Sequence, residues 1–503
     1  MSHTYTRRRF LQITACGVGC AAGVGALAGL RRAATRPNLL FIMADDHTSQ
    51  AWGCYGSRLA PYAPTDNIDR LSSQGALLEN CFCTNSICVP SRASILTGQY
   101  SHVNGAATLS GRLSPESDNV AKRLQAAGYE TAIIGKWHLK DQPDGFDYYN
   151  VLRGQGRYHN PVLFESGRDW KKGGLVHQGH STDVIAQLAV DWLNNRKHKD
   201  RPFCLMVHFK AVHEPFYSHD RYRKLFDEQE LPEPEDMMWP ESPKGKCFDG
   251  WPLEKLGDRF LSRPKRYAPP TLKSQMQEGE DLRRAAYQKF IKDYLRAVAG
   301  IDDNIGRLLD HLDQKGRTDD TVVMYTSDQG YFLGEHNLFD KRFMLEESLR
   351  MPFVIRYPRE IPAGGTLNHI VLNIDFAELL LDYAGAKISA SMQGRSFRSN
   401  LQGVTPSDWR DAMYYRYWTD QPERPAHYGI RTHTHKLIYY DGLARRGRES
   451  EACWELYDLQ ADPHERVNIY GRSEQDAVAA RLKQRLGRLR SEYGDTQGTF
   501  PQP

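Results

Sequence analysis

Nowhere in its 503 residues does this sequence gather a long basic run; lysine and arginine are spread along the chain, and the formal net charge is +4 at pH 7. Nucleic-acid binders concentrate cationic groups on one stripe, so that class of partner is excluded. Beyond the N-terminal segment, no stretch is long and apolar enough to span a membrane. No internal repeat is visible. Cysteine is scarce, nine residues in all, at positions 16, 20, 54, 81, 83, 88, 204, 247 and 453. The first two belong to the N-terminal segment. The seven that remain are odd in number, so at least one is free or modified if the others pair. Cys81 and Cys83 have no second Cys or His pair at zinc-finger spacing, which favours buried packing or a disulfide over a metal site.

What is present is ordinary in composition, 40% apolar and 25% charged, and long enough for one large domain with a smaller one. Residues 1–36 differ from the rest. Arg7-Arg8 followed by Phe10-Leu11, a Gly/Ala-rich middle and Ala26-Leu27-Ala28 resemble a twin-arginine export signal with a cleavage site. The middle is too short and too rich in glycine for a good membrane anchor. Lipid attachment at Cys16 or Cys20 is the second reading. The expected location is the periplasm or the exterior, reached through the twin-arginine translocase.

Further on, short apolar runs alternate with helical patterns. "NLLFIMA" (38–44), "TAIIGKWHL", "RPFCLMVHF", "TVVMYTS" and "MPFVIRYP" read as strands buried on both faces. "NVAKRLQAAGY", "STDVIAQLAVDWLNNRK" (with Ser181 or Thr182 near its N-cap) and residues 282–314 read as helices. This predicts an α/β fold with a large, mainly parallel sheet covered by helices, over residues 37–400. Residues 218–280, rich in proline and charge, read as a surface insertion. Residues 401–503 read as a smaller α+β subdomain, with an antiparallel hairpin in "HYGIRTHTHKLIYY" and a final helix over 474–493.

The polar residues that matter stand just beyond strand ends, where open α/β sheets bind ligands. Asp45-Asp46 and Asp328-Gln329 form an all-oxygen set suited to calcium or magnesium, and the lack of histidine among them argues against zinc. An Asp-Asp pair alone usually marks a turn or a helix cap; two such sets after two similar strands favour a metal. Arg92, Lys136, His138, His213 and Lys341 supply cations and proton carriers for an anion. One histidine after a strand is usually structural and one lysine usually solvated. Their shared placement carries the reading.

"CVPSRASILTG" (88–98) resembles the sulfatase signature, Cys-x-Pro-Ser-Arg, a small-residue run and Thr-Gly. "PNLLFIMADD", "GKWHL", "HEPF", "SDQGYFLGEHNLFDKRFMLEESLRMPFVIRYP" and "WELYDLQADPHE" follow in that family's order, across residues 37 to 470. The chain is thereby identified as resembling the formylglycine-dependent (type I) sulfatases, of the alkaline-phosphatase-like superfamily. The resemblance implies that Cys88 is converted to Cα-formylglycine by a maturation enzyme that reads Pro90 and Arg92. Its hydrate has one hydroxyl to attack sulfur and a second to expel sulfate, an exit a thiol lacks. It also implies one calcium ion held by Asp45, Asp46, Asp328, Gln329 and the modified Cys88. Arg92 would steady the hydrate, and Lys136 and Lys341 would grip sulfate oxygens. His138 would deprotonate the hydrate, and His213, with Lys341, would protonate the leaving alcohol. Gln329 departs from the asparagine or histidine common at its position.

For substrate, "GEHNLFDKRFMLEESLRMPFVIRYP" and "AHYGIRTHTHKLIYY" resemble bacterial glycan sulfatases of the N-acetylglucosamine-6-sulfatase kind. A sulfated carbohydrate is the expected partner, with His336, His427 and Tyr428 either facing the sugar or only packing. The rival readings are an arylsulfatase, a phosphate or phosphonate ester hydrolase of the same superfamily, and a non-catalytic glycan-binding protein on this scaffold.

Overall fold

The computed structural model describes residues 36–238, 247–272, 279–421, 423–441, 444–445, 448–449 and 453–496. The export signal expected at the N-terminus lies outside them. Strand β1, Asn38–Asp45, has no exposed residue. Side chains alternate across a strand, so Leu39, Phe41 and Met43 enter one apolar core while Leu40, Ile42 and Ala44 enter a second. A strand apolar from Leu39 through Ala44 therefore has two faces to cover, and it lies at the centre of a helix-covered sheet.

That sheet has ten strands. In chain order they are β1, β2 (Ala76–Leu78), β3 (Glu130–Lys136), β4 (Tyr148–Leu152), β5 (Val162–Glu165), β6 (Gly174–Val176), β7 (Phe203–Val212), β8 (Thr321–Ser327), β9 (Phe353–Arg356) and β10 (Gly365–Leu367). Their spatial order is β10-β2-β9-β8-β1-β7-β3-β4-β5-β6. The central strands β8, β1, β7, β3 and β4 run parallel. Strand β9 is antiparallel to both neighbours, and β5 and β6 are antiparallel at the far edge. The sheet is thus parallel at its centre and mixed outside it. The chain between β8 and β9 holds no long crossover helix, so β9 returns in the opposite direction.

Helix α1 (Cys88–Thr97) and α4 (Asp375–Ala384) cover one face; α2 (Ser181–Asn195) and α3 (Gly279–Gln314) cover the other. Helix α2 starts one residue earlier than its Ser/Thr signal suggests, with His180 as N-cap accepting from Thr182 N–H. The stretch read as a surface insertion is not all loop: Leu253–Ser262 is helical and buries Leu253, Leu256 and Phe260. Their three- and four-residue spacing is the apolar stripe of a packed helix, hidden in sequence by the surrounding charge. Residues 239–246 and 273–278 of that stretch lie outside the described residues.

The C-terminal sheet is antiparallel, in the order β11 (Ala412–Tyr417), β12 (His427–Thr432), β13 (His435–Tyr440) and β14 (Cys453–Asp458). The expected hairpin is β12–β13, with Arg431 opposite Lys436. Helix α5, Asp476–Glu492, buries Ala479, Leu482 and Leu486. A disulfide joins Cys247 to Cys453, Cα to Cα 6.0 Å. Cys81 and Cys83 are free and buried, the packing alternative. No helix among the described residues is long and apolar enough to cross a membrane.

Candidate active site

Consecutive strand residues point to opposite faces, so Asp45 and Asp46 would diverge if β1 ran straight on. Asp46 instead takes φ 67°, a left-handed turn that aspartate tolerates better than most residues. The turn brings both carboxylates to one pocket. Neighbouring β8 ends at Ser327, opposite Ala44, and Asp328 follows at once. Oxygens of Asp45, Asp46 and Asp328 lie within 4.8 Å of one another. Asp46 N–H donates to Asp328 Oδ1 at 3.2 Å.

Helix α1 points its N-terminus at this cluster. Pro90 falls in its first turn, where a missing N–H costs nothing, and Gly98 closes it at φ 64°. Cys88 and Arg92, four apart, share a face. Cys88 Sγ is 3.4 Å from Asp45 Oδ1. Arg92 Nε donates to Asp328 Oδ2 at 2.9 Å, and Nη2 is 3.8 Å from Asp45 Oδ1. Lys136 is the last residue of β3. Gly135 before it has φ 104°, and a Cβ there would collide with the His208 carbonyl of β7. Glycine lets the two strands close up, and Lys136 Nζ then pairs with Asp45 and donates to Gln155 Oε1 at 2.8 Å. Lys341 Nζ pairs with Asp46, 2.5 Å from Oδ2. His213 Nε2 is 3.9 Å from Asp46 Oδ2. Gln329 Nε2 donates to Asp46 Oδ1, while its Oε1 is buried without a partner among the described residues.

The electrostatics follow from crowding charge in a dry pocket. Burial first, then the nearby Asp45 and Asp328 carboxylates, push Asp46 up to about 7 against the pull of Lys341. Asp328 is raised to about 6, chiefly by burial and partly by Asp45, with Arg92 opposing. Burial works against Asp45 too, but Lys136, His213 and Arg92 hold it well below the usual carboxylate range. Burial and then Asp45 push the Cys88 thiol up to about 12. A thiol so protonated is a poor nucleophile. His138, half-buried with Nδ1 unpartnered, is lowered to about 2 by burial and then Lys136. His213 is lowered mainly by burial. Both rings are neutral near pH 7.

The structure therefore brings Asp45, Asp46, Cys88, Arg92, Lys136, His213, Asp328, Gln329 and Lys341 to one place. His138 lies within electrostatic reach of Lys136, Asp45, Arg92 and Lys341. The three sugar-facing candidates make none of these contacts and have buried surroundings. The His336 side chain is 0% exposed, between Asp236 and Glu347. His427 stacks with Tyr415 and Tyr440, its Nδ1 2.8 Å from the Pro425 carbonyl. Tyr428 is 1% exposed beneath Arg416 and Arg490. For His427 we propose the packing reading, since its ring faces and its Nδ1 are already taken. Replacing His427 by phenylalanine is accordingly expected to cost about 1 kcal/mol of stability for the lost hydrogen bond and to leave kcat/KM unchanged. A kcat/KM loss of tenfold or more would return His427 to the sugar.

The sequence reading missed Gln155 and Lys210, and a wall beside Lys341. There Asp340 accepts from Arg342 Nε at 2.9 Å and Arg424 Nη1 at 3.1 Å, and Arg424 lies 3.8 Å over the Trp251 ring. The residues come from three distant segments, so no local spacing announces them.

Known proteins share this arrangement's sequence and fold. The family model described as Sulfatase matches residues 37–386, and that described as N-sulphoglucosamine sulphohydrolase, C-terminal, matches residues 334–492. An N-acetylglucosamine-6-O-sulfatase of Bacteroides thetaiotaomicron is 39% identical over 508 positions, 92% of this chain and 87% of that protein. The N-acetylglucosamine-6-sulfatase of Homo sapiens is 26% identical over 525 positions, 95% of this chain and 88% of that protein. The solved structure of BT4656 in complex with its substrate D-glucosamine-2-N,6-O-disulfate matches with a TM-score of 0.82 and 37% identity, over 92% of this chain and 99% of that one.

Proposed function

The chain belongs to the sulfatase family, and from that premise we propose that it removes the 6-O-sulfate of glucosamine units in sulfated glycans. The glucosamine assignment is supported by bacterial and human relatives named for that sugar, the bacterial one 39% identical, and by a similar structure solved with a 6-sulfated glucosamine bound. The observation that carries the chemistry is the convergence of Arg92, Lys136 and Lys341 on three buried carboxylates beside Cys88.

The residues fit a hard cation. Three carboxylates crowd together, two of them with raised pKa, and the Gln329 Oε1 acceptor is buried and unused. They also fit conversion of Cys88, whose protonated thiol has no nucleophilic use as it stands. Calcium would polarise the sulfate, and formylglycine at Cys88 would supply an oxygen nucleophile. The chain's own side chains do the rest. Lys136 and Lys341 place ammonium groups where charge grows on the sulfate oxygens. Arg92, anchored on Asp328, fixes the side chain at position 88. The neutral His138 ring would accept a proton there once a bound sulfate's negative charge offsets Lys136 and raises its pKa. Lys341, kept protonated beside Asp46, would give the leaving oxygen its proton, with His213 Nε2 close by. Asp340, Arg342 and Arg424 form the polar wall that meets the sugar's hydroxyls.

The test is turnover of N-acetylglucosamine-6-sulfate, a 2-sulfated uronate, an aryl sulfate and a phosphonate monoester by protein from a host that matures sulfatases. The expected order puts the 6-sulfated sugar first. A phosphonate turned over faster would favour the ester-hydrolase alternative. Binding without turnover of any of them would favour the non-catalytic scaffold.

Export rests on Arg7-Arg8 and the segment after them. Changing both arginines to lysine is expected to hold the protein in the cytoplasm; unchanged export on fractionation would exclude this route.

A further inference from the structure

Lys210 lies on β7 and is 3% exposed. Strand β7 pairs with β1 at Met43 opposite His208, and next at Asp45 opposite Val212. Phe209, Lys210 and Ala211 thus stand against the single residue Ala44. Such a bulge re-aims side chains, and bulges gather beside active sites. Here it falls between the strand carrying Asp45 and the loop carrying His213.

The ammonium has no carboxylate and no hydrogen-bond acceptor among the described residues. Its contact is the ring of Tyr158, 4.6 Å from Nζ to centroid, and Tyr158 OH donates to the His213 carbonyl at 2.5 Å. The other fixed charges of the site are matched. Asp45 pairs with Lys136, Asp46 with Lys341 and Asp328 with Arg92. Lys210 is the positive charge left over. Burying an ammonium is costly unless an anion or several acceptors receive it, and a ring face offsets only part of that cost. The site reaches it electrically: burial and then Lys136 lower Lys210 to about 8, while Asp45 and Asp46 oppose the fall.

We propose that Lys210 is a substrate-binding residue whose ammonium receives an anionic oxygen of the substrate. This rests on the reading of the site as a sulfatase centre. The oxygen has two possible sources with one chemistry: the sulfate being cleaved, or a second anionic group on the same sugar.

The experiment compares wild type, Lys210→Met and Lys210→Arg on N-acetylglucosamine-6-sulfate and on glucosamine-2-N,6-O-disulfate. Lys210→Met is expected to lower kcat/KM by at least about tenfold, as loss of one charged hydrogen bond does, and Lys210→Arg to recover part of it. An equal loss on both sugars, shared between kcat and KM, assigns the cleaved sulfate. A loss confined to the disulfated sugar, and to KM, assigns the second anion. Wild-type kcat/KM for Lys210→Met on both sugars overturns the proposal. Methionine fills the same space without a buried charge, so folding is expected to survive; Lys210→Gln serves the same purpose if it does not. In a Cys88→Ala background, calorimetry with the same two sugars reads the contact as affinity. A wild type without sulfatase activity would then fail the functional reading and still leave this contact measurable.

Discussion

Cys88→Ala is expected to lower kcat/KM on N-acetylglucosamine-6-sulfate by on the order of 10⁴-fold or more, as removal of a nucleophile does in other hydrolases, while the protein still folds. Nothing structural depends on the thiol. Cys88 opens α1, alanine is the best helix former, and among the described residues Sγ makes only weak contacts, 3.4 Å to Asp45 Oδ1 and 3.8 Å to Gln329 Nε2. The thiol is also held protonated by burial and by Asp45, with a pKa pushed up to about 12. An unmodified cysteine therefore has little thiolate to offer at neutral pH. The mass of the peptide carrying residue 88 decides what replaces it. An aldehyde in active protein supports the oxygen nucleophile. A thiol alone in protein of full activity would sink it, as would an alanine variant that keeps its rate.

The second large effect concerns the cation. Chelation is expected to reduce activity by at least about 100-fold, the scale of losing one strong electrostatic stabiliser, and added calcium to restore it. Calcium should also raise the melting temperature, by an amount equivalent to about 2.7 kcal/mol once its concentration is a hundred times Kd. The pH dependence has a definite sign. Asp46 and Asp328 would bind the cation deprotonated, and their pKa values are raised to about 7 and about 6. Protons therefore compete as pH falls from 8 to 5, and affinity should weaken steadily over that window, with proton release on binding. Asp328→Asn removes one ligand charge and the partner of Arg92 together, so it should abolish the calcium-dependent shift in melting temperature. Calcium affinity independent of pH across that window, or activity indifferent to chelation, would exclude these carboxylates as the metal site.

How far the sequence could be read depended on how local each signal was. Strand β1 announced itself because seven residues of one apolar run need no distant partner to be recognised as doubly buried. The Cys88–Arg92 spacing was legible for the same reason, since four residues fix one face of one helix turn. The helix Leu253–Ser262 was missed because charge and proline around it outweigh a three-residue stripe. His336, His427 and Tyr428 were drawn from stretches resembling glycan sulfatases, with facing the sugar and packing both open, and all three are buried. A polar side chain says nothing about its exposure until the sheet or loop that covers it is known.

The sequence by itself determined the family, the α/β alternation, the strand-end placement of Asp45, Asp46, Asp328, Lys136 and His213, and the Cys88 motif. Each of these is a property of residue order over one element. Only the tertiary structure decided which carboxylate each cation takes, how the left-handed turn at Asp46 gathers two aspartates into one pocket, and that Lys210 is buried with no anionic partner among the described residues. Those facts depend on contacts between segments up to 295 residues apart, as between Lys341 and Asp46. Burial and pairing, which set charge state and therefore chemistry, arise only when such segments meet.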